Sequence, residues 1–300
     1  MIRPAAFGRN EVTRPSNHFQ TGAATTGADR VAAAAKSEFD NLAAQLLANG
    51  IDVRAFPGRM TSELPDEVFP NNWCSTHADG TLVLYPLMAW NRRPERRRDI
   101  IDELQQHTDG FRIERVVDLS NLEQKGLFLE GTGSLVLDRA NRVGFACLSP
   151  RTHLDALEIF AQRLDYEIVA FHGLDRHDRA IYHTNVMLAL GEGFAVVCLE
   201  AIREVEERFR IHRRLELGGR EVIDIGYDQL HAFAGNLIEL RNRRGSIIFM
   251  SAQAHASLTA GQREALTRHA PIVTAHVNVI ERFGGGSVRC MLAELLLPRK

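Results

Sequence analysis

The sequence predicts an α/β protein built as a closed, five-fold pseudo-symmetric ring of ββαβ units, a single domain spanning residues 1–300. Three observations lead there. The order strand, strand, helix, strand recurs along the chain, and it recurs every 50–60 residues. The last unit closes only if both chain ends contribute to it. Repeats of this length point to radial or solenoid symmetry rather than to two ordinary domains, and no Pro/Gly/Ser-rich linker interrupts the middle of the chain.

The units follow from periodicity. SLVLDRANRVGFACLS (134–149) reads as two short strands around a polar turn. THLDALEIFAQRLDY (152–166) places Leu154, Leu157, Phe160, Ala161 and Leu164 at helical spacing, and EIVAF (167–171) returns as a strand. The next unit has NVMLALGEGFAVVCLE (185–200), a charged amphipathic helix near 201–215 and the strand EVIDI (221–225). A third has NLIELRNRRGSIIFMS (236–251), a helix in TAGQREALTRHA (259–270) and PIVTAHV (271–277). Upstream, TLVLYP (81–86), a helix in PERRRDIIDELQQH (94–107) and FRIERVV (111–117) fit the template, with a first strand near 72–76. The fifth unit takes one strand from the extreme N-terminus and one from CMLAELLL (290–297). The helix in DRVAAAAKSEFDNLAAQLLANG (29–50), with Asn49-Gly50 as its C-terminal cap, and IDVRAF (51–56) complete it.

Composition excludes several classes. A hydrophobic content of 45% with 25% charged residues is that of a globular chain with a sizeable core. A net charge of −2 argues against a general binder of nucleic acid or of a membrane surface. No apolar run approaches the ~20 residues that span a bilayer, and MIRPAAFGRN has no apolar signal-peptide region. The four cysteines are widely separated and form no CxxC pair, which reads as free thiols of a cytoplasmic protein.

The repeat also predicts a site. Asn72, Glu130, His183, Asn236 and Cys290 each stand at the start of a unit's first strand, at spacings of 58, 53, 53 and 54 residues. In a ring, equivalent positions gather around the axis and bring a carboxylate, an imidazole and a thiol to one mouth. Cys290 follows FGGGSVR, where glycines permit close approach of a ligand. There it reads as a nucleophile whose thiolate is favoured by nearby positive charge. Cys147 and Cys198 sit inside second strands and read as core residues, and Cys74 is intermediate. His183 fits a general acid and base. Glu130 fits a partner that orients it or accepts from a substrate N–H. HGLDRHD (172–178) matches no metal spacing and reads as a solvated loop. RRPERRR (92–98) reads as the exposed start of a helix, with a weaker option that one arginine reaches a substrate carboxylate. GEGFA lacks the strand-to-helix context of a dinucleotide fingerprint.

RPAAFGRN (3–10), FPNNWCSTHADGTLVLYP (69–86), LEGTGSLVLD (129–138), HTNVML (183–188) and GGGSVRCMLAE (284–294) together resemble the guanidino-group-modifying enzymes, the amidinotransferase or pentein superfamily. The resemblance runs nearly end to end and is nearest to the bacterial amidinotransferase-like, citrulline-utilisation branch. It implies a five-fold ββαβ propeller and a catalytic triad of Glu130, His183 and Cys290. Arginine deiminases of this superfamily hold the guanidinium with aspartates. This chain has Asn72 and Asn185 at what look like the matching places, unless those acids lie elsewhere, as at Asp66 or Asp79. With Asn236, these asparagines are the expected substrate-binding residues.

An ionised Asp pairs with a cation, whereas an Asn offers both a donor and an acceptor, as a neutral ureido group requires. The expectation is hydrolysis of citrulline to ornithine, carbon dioxide and ammonia through a covalent Cys290 intermediate, without metal or organic cofactor. The partner is a small ureido or guanidino molecule; neither nucleic acid nor membrane is expected, and a homo-oligomer is compatible with the sequence. Deimination or hydrolysis of arginine, methylarginine or agmatine is the alternative, ahead of amidino transfer. Outside the enzymes stands a silent amino-acid-binding propeller.

Overall fold

In the computed structural model, residues 1–23, 27–59, 64–106 and 110–300 are described. Strand β1 (Ile2–Arg3) pairs in parallel with β2 (Phe56–Pro57), Ile2 opposite Phe56. Four three-stranded sheets follow. They are β3 (Cys74–Thr76), β4 (Thr81–Leu84) and β5 (Arg115–Asp118); β6 (Val136–Asp138), β7 (Val143–Leu148) and β8 (Glu167–His172); β9 (Leu188–Leu190), β10 (Phe194–Val197) and β11 (Glu221–Asp224); and β12 (Ile238–Asn242), β13 (Gly245–Ser251) and β14 (Ile272–Ala275). In each, the first two strands form an antiparallel hairpin and the third joins the second in parallel after a helix. These are the predicted ββαβ units. Among the described residues the five sheets are separate, and none closes on itself.

The middle strands read as unbroken apolar runs because both their faces are covered. Val143–Cys147 and Phe194–Val197 are buried throughout. Cys147 lies in β7, while Cys198 follows β10 by one residue and is equally buried. The helix Ala28–Ala48 buries Val31, Ala35, Phe39, Leu42 and Leu46, one stripe at three- and four-residue spacing. It ends at Asn49, and Gly50 takes the left-handed φ of 75°. That stripe packs with Phe249, Val277, Ile280, Met291 and Cys290 in one core cluster, so the helix lies beneath the Cys290 turn. The helix Ala260–His269 starts in a capping box. Thr259 Oγ1 accepts from Gln262 N, and the Gln262 side chain accepts from Thr259 N.

Three expectations need correction. The segment 290–297 is not a strand. It leaves a 3-10 turn, Val288–Met291, and its backbone is bound by side chains instead of by a ladder. Thr76 Oγ1 donates to Glu294 O at 2.7 Å and accepts from Leu296 N at 2.8 Å. The N-terminal unit therefore has two strands among the described residues. Next, the helix expected over 94–107 spans Arg98–Gln106, because Trp90–Glu95 winds as a 3-10 turn instead; His107 lies outside the described residues. Lastly, Leu154, assigned to a buried helix face, is 47% exposed, whereas Leu157, Phe160 and Leu164 are buried.

Among the described residues no helix is long and apolar enough to cross a membrane.

Thr76 is the stitch between the C-terminal segment and β3. Thr76→Val keeps the shape and removes both bonds, leaving two backbone groups unpartnered. The expected loss is about 1–3 kcal/mol, read from the urea midpoint. A change below about 0.5 kcal/mol, the size of an ordinary surface substitution, would mean that the segment is held by packing alone.

Candidate active site

Four of the five repeat positions stand just before a first strand, and the fifth, Cys290, lies in a 3-10 turn with no strand after it. Asn72 ends the turn Pro70–Asn72, Glu130 precedes Gly131–Ser134, His183 precedes Thr184–Met187, Asn236 precedes β12, and Cys290 lies in Val288–Met291. The turns meet at one place. Glu130 Oε2 lies 2.8 Å from His183 Nε2, and the Asn236 and Asn185 amide nitrogens lie 3.2 and 3.5 Å from Cys290 Sγ. Gly131 and Gly133 make this approach feasible. A Cβ on Gly131 would strike the Asn71 carbonyl at 2.2 Å, and Gly131 has a φ of 51°. A Cβ on Gly133 would lie 2.5 Å from Asn72 Nδ2 and 2.6 Å from His183 Nδ1, so those two atoms converge on one point.

Two buried arginines, which sequence reasoning missed, set the electrostatics. Arg92, from the run read as an exposed helix start, is only 1% exposed. The 3-10 turn folds it inward. It binds Glu95 through Nε at 3.0 Å and Nη2 at 2.8 Å, donates to Asn72 Oδ1 at 2.9 Å, and lies 3.7 Å from both Asp66 and Glu130. Arg151 stands 3.4 Å from Glu130 Oε2, over the Tyr182 ring, and donates to Ser16 Oγ and the Thr13 carbonyl. The i,i+3 spacing of Arg92 and Glu95 was the available signal, and it is equally common on surfaces.

Burial works against the Glu130 charge, but Arg151, the His183 hydrogen bond and Arg92 outweigh it and hold the carboxyl well below the usual range. Its other oxygen accepts from Met88 N at 3.0 Å. Burial lowers the His183 pKa to about 4 against the opposing pull of Glu130, so the imidazole is neutral near pH 7. With Nε2–H donated to an ionised Glu130, Nδ1 carries the lone pair. That basic nitrogen faces the point beside Gly133.

The expectation of a resting thiolate at Cys290 is corrected. The sulfur is buried, and burial pushes the thiol up, with the Ser287 backbone, Asn236, Arg289 and Asn185 offsetting part of the effect. Cys290 hydrogen-bonds to Asn185 and Asn236, and His183 to Glu130; no hydrogen bond joins Cys290 to His183 among the described residues. The site thus has a thiol with amide donors against its sulfur, and a separate neutral imidazole.

The asparagines divide. Asn236 is fully committed: Nδ2 bonds the Asn185 carbonyl at 2.7 Å as well as Sγ, and Oδ1 accepts from Arg289 N at 3.1 Å. It clamps the Cys290 turn. Asn185 touches the same sulfur. Asn72 has its oxygen occupied by Arg92, while its buried Nδ2 has no partner. Among the described residues no group of three or more His, Cys, Asp or Glu side chains is placed to hold a metal. In the 172–178 loop, Asp175 is buried and bonds the backbone of His177 and Arg179.

Repeated ββαβ units with a thiol, an imidazole and a carboxylate gathered at one place are the arrangement of the guanidino-group-modifying enzymes, the pentein superfamily. Over residues 3–297 the chain matches the family described as N,N dimethylarginine dimethylhydrolase, eukaryotic, and it belongs to that family. No curated protein sequence matches it.

Its fold is similar to that of ArgZ, an arginine dihydrolase from the ornithine-ammonia cycle in cyanobacteria (TM-score 0.73, 20% identity). That likeness covers 99% of this chain and 41% of ArgZ, so the chain spans about two fifths of that protein's length. Against the N-terminal domain of ArgZ bound to substrate, the TM-score is 0.71 at 19% identity, covering 97% of this chain and 95% of that domain. A dimethylarginine dimethylaminohydrolase adduct gives 0.61 at 15%, covering 90% and 92%. At these identities the likeness is one of fold.

A raised thiol pKa has a visible consequence in the free enzyme. Alkylation of Cys290 by iodoacetamide, mapped by mass spectrometry, should keep rising about tenfold per pH unit through pH 9, because only the thiolate reacts. Cys74, Cys147 and Cys198, pushed up to about 12, should lag behind it. A plateau of Cys290 labelling below pH 8 would show a resting thiolate.

Proposed function

We propose that this chain, acting as one catalytic domain of five units arranged in a ring, hydrolyses the ureido C–N bond of citrulline, releasing ornithine, carbon dioxide and ammonia. The observation that carries this is the pair of atoms converging beside Gly133: an unpartnered amide donor, Asn72 Nδ2, and a basic nitrogen, His183 Nδ1. A ureido group matches both, because its oxygen accepts and its N–H groups donate. A guanidinium has only donors and would leave the buried Asn72 NH₂ facing a cation. Arg92 locks the orientation of that amide by holding its oxygen.

In the reaction, Cys290 loses its proton to His183 Nδ1 as the substrate enters between them. The thiolate, supported by the Asn185 and Asn236 amides, attacks the ureido carbon. His183 passes the proton to the departing δ-nitrogen, and ornithine leaves. The thiocarbamoyl on Cys290 then takes up a water that His183 deprotonates. The C–S bond breaks, the thiol is reprotonated, and carbamate falls to carbon dioxide and ammonia. Glu130 stays ionised and steadies the imidazolium formed in each step. Carbon chemistry of this kind needs no cofactor.

A second reading rests on Asp66, whose buried Oδ1 has no partner while Oδ2 binds Asn10 and Thr13. A free carboxylate oxygen favours a cationic group. The similar solved structures include ArgZ, an arginine dihydrolase, bound to substrate, AgrE bound to L-arginine, and AgrE bound to ornithine and NAD+. On that reading arginine, or a methylarginine as the family description suggests, is the substrate.

The test is a panel of citrulline, arginine, dimethylarginine and agmatine, followed by ornithine and ammonia release. Citrulline should give the highest kcat/KM, Cys290→Ala should abolish turnover, and Asn72→Asp should lower citrulline turnover about tenfold or more. That change corresponds to the loss of one buried donor. Higher kcat/KM for arginine would transfer the assignment to the second reading.

A further inference from the structure

Glu281 is a buried acid that the proposed reaction does not use. It sits in the short helix Asn278–Gly284, and its carboxylate Oε1 accepts from Ser287 Oγ at 2.6 Å. Ser287 is itself fully buried, and its carbonyl accepts from Cys290 N at 3.0 Å. The Glu281 carbonyl accepts from Gly285 N at 2.9 Å. One residue therefore ties down the middle of the glycine run 284–286 and the residue that follows it, a stretch whose glycines would otherwise leave the Cys290 turn free to move. Gly285 has a φ of 65°, and a Cβ on Gly286 would lie 3.0 Å from Phe69 and 3.3 Å from the Cys290 Cβ, so the run is also tightly packed.

We propose that Glu281 is a positioning residue for the hydrolysis: through the Ser287 hydroxyl it fixes the turn that sets Cys290 Sγ against the Asn185 and Asn236 amides. This rests on Cys290 being the nucleophile. The surroundings do not favour a charge at Glu281. Burial pushes its carboxyl up to about 7, the Ser251 and Ser287 hydroxyls offset part of that, and Glu38, on the helix Ala28–Ala48, adds a like charge. An apolar residue would fill the space at less cost unless the Ser287 hydroxyl required an acceptor. A thiol displaced by about 1 Å from its line of attack can lose on the order of a hundredfold in rate.

The experiment compares Glu281→Ala, Ser287→Ala, the double variant and Glu281→Gln in the full-length protein. The readouts are thermal melting, steady-state kinetics on the best substrate of the panel, and iodoacetamide labelling of Cys290 and Cys147 without substrate. Each alanine variant should lower kcat about tenfold or more with KM within about twofold, as expected for misplacement of a bound nucleophile. Cys290 labelling should quicken about threefold or more as the turn loosens, with Cys147 unchanged. The double variant should be no worse than the worse single, since the two act as one unit. Glu281→Gln, which keeps an acceptor for Ser287, should recover most of kcat.

Wild-type kcat and Cys290 labelling in Ser287→Ala would overturn the proposal, as would multiplicative effects in the double variant. If Glu281→Ala does not fold, Ser287→Ala and Glu281→Gln decide it. Turnover surviving in Cys290→Ala would instead remove the nucleophile assignment, a separate outcome, because the labelling arm follows the turn without any turnover.

Discussion

The carboxylate of Glu130 is fully buried, and the site is arranged around keeping it charged. His183, Arg151, Arg92 and the Met88 amide all reach it, from three different segments of the chain. A lone carboxylate buried at that depth would take up a proton or disrupt its surroundings. Here the two guanidinium groups make ionisation favourable, and the ionised group fixes the tautomer of His183. From this one anion follow the tautomer of His183, its free Nδ1 and the inward fold of Arg92, while the neutrality of the imidazole comes from burial, against the pull of Glu130. Arg92 in turn orients the Asn72 amide, so the direction of that amide depends on the same charge.

Cys290 is held differently, by neutral hydrogen bonds and backbone. Asn236 joins Cys290 Sγ, the Asn185 carbonyl and Arg289 N, and Ser287 secures the turn from behind. This division has a chemical logic. Strong positive charge at Cys290 would yield a stable but weakly nucleophilic thiolate, whereas burial with neutral amide donors leaves the sulfur protonated.

The N-terminal segment binds the two halves of the site together. Thr13 and Ser16 receive Arg151, Asn10 and Thr13 bond Asp66, and Asn17 and Gln20 donate to the Gly284 carbonyl. The backbone of Thr21 and Gly22 donates to Arg282 O. A stretch with almost no regular structure thus reaches both the charged side and the nucleophile side, using polar side chains that in sequence look like ordinary loop composition.

Period-two strands and the 3.6-residue stripe of the helix Ala28–Ala48 were legible in the sequence because burial of one face writes itself into residue order. So were the unit boundaries, and with them Glu130, His183 and Cys290, since a repeated backbone puts equivalent positions at equivalent intervals. What lay beyond periodicity was anything decided by which polar groups meet across units. Arg92 and Arg98 belong to one basic run, yet Arg92 is buried against three carboxylates while Arg98 is largely exposed and pairs with Asp102. Segment 290–297 has the apolar look of a strand, but Thr76 from a neighbouring unit binds its backbone and no ladder forms. Cys290 looked like a thiolate beside an arginine, and burial, a property of the whole fold, reversed that. Local hydrophobic pattern is a one-dimensional signal; desolvation and ion pairing depend on neighbours that only the folded chain brings together.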